Sequence, residues 1–147
     1  FAEAYPDYTP QDLLSIDNVF RPFTIRTADA WAEQGNAPLY AYLLAWKSQV
    51  DSASRGSFHG LDIPLAFNNV DLRPDWTGNS EEAWKLADKM SSAWLNFAKT
   101  GNPNVEGILP EWEPYTAENG ATMYFDNESK IVNNHDRKLM NFIKPLD

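Results

Sequence analysis

Pro38-Leu39-Tyr40-Ala41-Tyr42-Leu43-Leu44-Ala45-Trp46 is apolar at nearly every position. Continuous rather than alternating apolarity predicts a β-strand buried on both faces. Strands of that kind belong to parallel sheets covered by helices, which places the chain in the α/β class. The remainder of the chain holds no second run like it. The expectation is therefore a piece of a larger α/β protein, or a chain that takes its other strands from a partner segment.

Upstream of this run, residues 1 to 10 carry Pro6 and Pro10 and read as an irregular lead-in. From about Gln11 to Gln34, Leu13, Leu14, Val19, Phe20, Phe23, Ile25, Ala28 and Trp31 follow helical spacing. Pro22 predicts a break, with the longer helix running from about Phe23 to Glu33 and closing at Gly35-Asn36. Downstream, Lys47 to Ser57 reads as an exposed polar loop and Asn68 to Gly78 as a second loop. Pro64 is expected to open a short turn or helix around Leu65-Ala66-Phe67.

The strongest helix signal spans Ser80 to Lys99, with Asn79 and Glu82 as a start resembling a capping box and Gly101 with Pro103 as the stop. Ala83, Ala87, Met90, Trp94, Phe97 and Ala98 make its apolar stripe, which is the signature of core packing. Trp112 and Tyr115 are candidate anchors in the connection that follows. Thr122 to Phe125 and Lys130 to Val132 predict a small hairpin, and Arg137 to Ile143 a terminal helix.

Composition narrows the function classes. The length of 147 residues is that of one domain able to bury a core, and 14% aromatic with 43% hydrophobic residues argues against disorder. A net charge of −9 with no basic run makes nucleic acid and anionic membrane surfaces poor partners. No stretch approaches the roughly 18 apolar residues of a membrane span, and no signal-peptide pattern is present. Absence of cysteine removes disulfides and thiolate metal sites but leaves the compartment open. The chain opens at Phe1 instead of Met, as a processed, tagged or excised segment does.

The chemistry concentrates at Gly56-Ser57-Phe58-His59-Gly60-Leu61-Asp62. Imidazole titrates near neutrality and is the usual proton shuttle, and flanking glycines let other groups approach it. Taken alone, His59 fits either a catalytic base on a loop after a buried strand or a histidine that holds the loop by one hydrogen bond. A hydrolytic triad also needs a nucleophile and an orienting acid. The chain has no Gly-x-Ser-x-Gly elbow and no HGGG-type segment, and Ser54 and Ser57 sit in a serine-rich loop. His59 and His135 lack metal-ligand spacing, and Asp71, Asp75 and Gly78 do not fit a calcium loop. Neither metal nor organic cofactor is expected. His135 reads as a solvated residue at a helix start, and Asn127-Glu128-Ser129 as a glycosylation sequon that matters only in a secretory host.

Four stretches in order carry a resemblance. Phe58-His59-Gly60-Leu61-Asp62-Ile63-Pro64-Leu65-Ala66-Phe67-Asn68-Asn69 resembles the histidine motif of type B carboxylesterases, the cholinesterase-like branch of the α/β hydrolases. Ala37 to Tyr42 resembles the family's strand before that motif. Ala93 to Asn104 resembles its late helix and turn, and Trp112-Glu113-Pro114-Tyr115 with Met123-Tyr124-Phe125-Asp126 its tail. The likeness covers nearly the whole chain and is strongest to bacterial para-nitrobenzyl-type esterases.

That resemblance implies the C-terminal segment, residues 1–147, of a single α/β-hydrolase domain, whose substrate is a small-molecule ester. It makes His59 the triad base. The serine, the oxyanion glycines and the triad acid would come from the N-terminal remainder of the same enzyme, the expected partner of this segment. Asp62 matches the acidic residue that supports the histidine loop and is not the triad acid. Phe58 and Leu61, flanking the imidazole, are expected in the substrate-pocket wall. By this reading the chain alone is inactive. The alternatives are a cholinesterase-like adhesion or binding protein that has lost catalysis, an inactive excised fragment, and a free-standing aromatic-rich binding module.

Overall fold

A computed structural model describes residues 1–14 and 16–143. Turns over residues 1–9 lead into the short helix α1 (Pro10–Leu14). The next helix, α2 (Phe20–Gln34), starts ahead of Pro22 and runs through it, so the expected break is corrected. Proline in a first helical turn loses no intrahelical bond, because the amide it lacks has no partner there. Asp17 supplies the start, accepting from the amides of Phe20 at 2.7 Å and Arg21 at 3.1 Å. Gly35, at φ 63°, ends the helix as predicted, in the left-handed region that glycine enters without steric cost.

The decisive apolar run forms a shorter strand than its sequence predicts. Strand β1 spans Ala41–Leu44, with Ala41 buried and the next three residues only half-buried. Burial on both faces belongs instead to β2 (Ala121–Phe125), the middle strand of the order β1-β2-β3, with β3 at Lys130–Asn133. The expectation that β1 finds no partner strand in this chain is corrected too: its neighbour is the first arm of the predicted hairpin. Sequence patterning hid this because Thr122 interrupts the apolar run of β2. Its buried hydroxyl donates to the Gly120 carbonyl at 3.0 Å, which removes the cost of enclosing it.

Between β1 and β2 lie α3 (Asp62–Ala66), a 3-10 turn (Val70–Leu72), α4 (Pro74–Thr77) and α5 (Glu81–Thr100); α6 (Arg137–Ile143) follows β3. The segment expected as loop over 68–78 is thus largely helical, with the Thr77 hydroxyl donating to the carbonyls of Val70 and Arg73. The 47–57 loop is not uniformly exposed either. Ser48 is fully buried and its hydroxyl donates to the Trp76 carbonyl.

Helix α5 is capped by Ser80, not Asn79: the Ser80 hydroxyl accepts from the Ala83 amide at 3.1 Å. Asn79 has φ 48° and its side-chain oxygen takes the Trp84 indole N–H. Ser80→Ala should cost about 1 kcal/mol of stability, the usual worth of an N-cap, measured by chemical denaturation; no change would show that the cap is redundant. The buried face of α5 is Ala83, Leu86, Ala87, Met90 and Ala93. Phe97 and Ala98, assigned to the stripe from sequence, are exposed.

By contacts the described chain divides into two compact units. One comprises Phe1–Ala41, Pro114–Thr122 and the chain from Val132. Ala28, Ala41 and Tyr115 form its apolar cluster, with Ala32 and Leu39 against them. Its polar framework ties α2 to α6. Arg21 pairs with Asp136 at 2.6 and 2.9 Å, and Arg137 pairs with Asp29 at 2.8 and 2.9 Å. Tyr5 and Tyr115 donate to the two carboxylates at 3.1 and 2.7 Å. His135, expected in solvent, has only 14% of its side chain exposed and meets the edge of Tyr5.

The other unit comprises Tyr42–Glu113 and Met123–Ile131. Trp46, Leu61, Leu65, Val70, Leu86, Met90, Met123 and Phe125 are fully buried within it. Trp112 is an anchor as predicted, 3% exposed, with its ring edge on Phe125. Asn104 holds it in place, accepting from the Trp112 amide at 2.6 Å and donating to the Trp112 carbonyl at 2.9 Å.

Candidate active-site turn

His59 lies on the turn that leads from the 47–57 loop into α3, and its side chain is exposed. Two backbone bonds shape the turn: Leu61 N–H to the Phe58 carbonyl and Ile63 N–H to the Gly60 carbonyl, both at 3.1 Å. Gly60 sits at φ 87°, and a Cβ there would stand 3.6 Å from the Trp76 ring. The requirement at this position is therefore conformational more than spatial. Ser57 donates its hydroxyl to the Leu44 carbonyl at 2.9 Å, pinning the loop to the end of β1.

The residues flanking His59 diverge in placement. Phe58 is half-buried, its ring edge-on to Trp76 at 5.3 Å and covered by the Arg55 guanidinium at 4.4 Å. Trp76 carries the Arg73 guanidinium over its ring at 3.4 Å, and Arg73 pairs with Asp75 at 3.0 Å. Leu61 has no exposed surface, so it packs beneath the turn. Ile63 and Phe67 leave α3 outward, 54% and 75% exposed.

Asp62 opens α3 and is half-buried. Its carboxylate accepts from the Tyr42 hydroxyl at 2.8 Å. Burial, and then this bond to a carboxylate, push the Tyr42 phenol well above its ordinary value, so it remains a donor throughout the working range. The Tyr42 ring is itself held edge-on by Trp94 at 4.9 Å and by Phe125 at 6.0 Å.

The structure thus brings Phe58, His59, Leu61 and Asp62 into one turn, as their adjacency requires. Sequence reading missed what fixes that turn: Tyr42 from β1, Trp76 from α4 and the buried Ser48. These partners are 16 to 28 residues from the groups they touch, and no periodicity announces them. Among the described residues no cluster of three or more His, Asp or Glu side chains is placed to hold a metal ion. Two clefts, one of about 270 Å³, are lined by residues of 1–4 and 134–142 and by none of the predicted site residues. Among the described residues no helix is long and apolar enough to cross a membrane.

Comparison with known proteins gives a consistent answer. The model of the carboxylesterase family matches residues 9–143. The para-nitrobenzyl esterase of Bacillus subtilis is 33% identical over 140 residues, covering 90% of this chain and 27% of its own length. Chicken (Gallus gallus) acetylcholinesterase is 34% identical over 112 residues, covering 71% of this chain and 13% of its own. Among solved structures, an esterase from Clostridium hathewayi described as hydrolysing aliphatic aromatic polyesters superposes over 100% of this chain and 28% of its own. That match has a TM-score of 0.85 at 35% identity. The chain therefore spans about a quarter of the length of the B. subtilis relative and of this structure.

Proposed function

The chain belongs to the carboxylesterase family of α/β hydrolases, and from that membership we propose that it supplies the general-base histidine, His59, to a serine ester hydrolase. The observation that carries the proposal is an exposed imidazole on a turn whose two flanks are anchored, at Ser57 to β1 and at Asp62 to Tyr42. A base must reach a group outside its own unit and yet keep its position, and this arrangement supports both.

In the proposed cycle His59 takes the proton of a serine hydroxyl as that oxygen attacks the ester carbonyl, then delivers it to the departing alcohol. It next removes a proton from water, which attacks the acyl-enzyme and releases the acid. The serine, its orienting acid and the oxyanion donors belong to the N-terminal remainder of the enzyme, with the present chain as its C-terminal segment, inactive alone. Phe58 offers an aromatic wall beside the imidazole, and Leu61 contributes only as the packing below it.

A fluorophosphonate probe, which phosphonylates only an activated serine, tests this reading on the intact protein. One label per chain, lost when His59 is replaced by alanine, is the expected result. An unlabelled intact protein would instead fit the cholinesterase-like binding protein without catalysis.

A further inference from the structure

Tyr42 on β1 donates its hydroxyl at 2.8 Å to Asp62, the residue that opens α3. We propose that Tyr42 is a positioning residue for the reaction: through Asp62 it fixes the start of α3, and with it the turn that aims His59. The inference rests on the reading of His59 as the base.

Three features make Tyr42 suited to that task. It stands on a strand, which positions a side chain more precisely than a loop does, and not on the loop it steadies. Its ring packs edge-to-face with Trp94 and Phe125, and Trp112 in turn packs edge-to-face with Phe125. Its hydroxyl meets a carboxylate only three residues from His59, and α3 carries that carboxylate in its first turn. A charge-assisted bond of this length is about twice as strong as a neutral one. The turn is thereby tied at its far side, while Ser57 ties its near side to the Leu44 carbonyl. Losing one of two ties leaves the backbone intact but lets the imidazole drift, and a displacement of about 1 Å can cost about a hundredfold in rate.

A purely structural role would make a different prediction. Tyr42→Phe keeps the ring packing and removes only the hydroxyl. In the intact enzyme it is expected to lower kcat about ten- to a hundredfold on a para-nitrobenzyl ester while KM stays within about twofold. Asp62→Ala should lose as much, and Asp62→Asn less, because an amide oxygen still accepts from Tyr42. The Tyr42→Phe/Asp62→Ala double variant should lose no more than the worse single one, as residues acting through one bond do.

Unchanged kcat in Tyr42→Phe, or losses that multiply in the double variant, would overturn the inference. Should Tyr42→Phe fail to fold, the Asp62→Asn and Asp62→Ala pair decides: equal losses count against it. His59→Ala separates the two levels. If that variant keeps its activity the base assignment fails, whereas an inactive His59→Ala beside a normal Tyr42→Phe removes only the role of Tyr42.

Discussion

Replacing His59 by alanine in the intact enzyme is expected to lower kcat/KM for a para-nitrobenzyl ester by about four to six orders of magnitude. The size follows from the proposed role. Without a base the serine hydroxyl is a poor nucleophile, and what survives is the contribution of substrate binding and oxyanion stabilisation. The fold should hardly notice, because the His59 side chain is exposed while the turn beneath it is built by backbone bonds and by Leu61. A stability change within about 0.5 kcal/mol is expected for such a surface position. Stopped-assay kinetics and a denaturation curve on the same preparation check both halves. Near-normal turnover in the variant would end the esterase mechanism proposed for this residue.

Asp136→Ala is expected to have the largest effect on stability, a loss of about 3–5 kcal/mol, because it strands a buried guanidinium without its counter-charge. Asp136 and Arg21 are 1% and 7% exposed and share two short bonds, with Tyr5 donating a third to the carboxylate. Burial alone would raise the Asp136 carboxyl; the hydrogen bonds and charge of Arg21 outweigh it and hold the carboxyl below its ordinary value. The sign of the pH dependence follows. A carboxyl depressed in the folded state contributes stability above its unfolded value, and that contribution is lost as pH falls through the folded one. Asp29 is depressed in the same direction: burial raises it, and bonds from Arg137 and Tyr115 more than offset that.

Acid titration of stability should therefore show a steep fall below about pH 4, the usual range of carboxylates. Asp136→Asn should flatten that fall without abolishing it, since Asp29 still titrates. Replacing both partners, Arg21→Met with Asp136→Leu, should recover most of what the single substitution loses, because no unpaired charge then remains. A thermal scan that places Asp136→Ala within a degree or two of the parent would refute the stranded-charge account.

Much of this architecture was legible residue by residue. The helix ends at Gly35 and Gly101, the hairpin arms, the terminal helix, the long helix after residue 80 and the anchoring by Trp112 and Tyr115 all follow local rules of capping, periodicity and turn chemistry. Errors occurred where a local rule met a satisfied exception. Pro22 does not break α2 because it falls in the first turn. Ser48 and Thr122 are buried because each hydroxyl finds a carbonyl. His135 leaves solvent because Tyr5 covers it.

By itself the sequence determined the family, through stretches spread from Ala37 to Asp126, and marked the contiguous residues Phe58 to Asn69 as the turn proposed to carry its chemistry. Only the tertiary structure decided which strand pairs with β1, which charges lock α2 to α6, and that Tyr42 reaches Asp62. Those are contacts between residues from 20 to more than 100 positions apart. Each depends on where the backbone brings two side chains together. A spacing of residues along the chain carries no trace of that meeting.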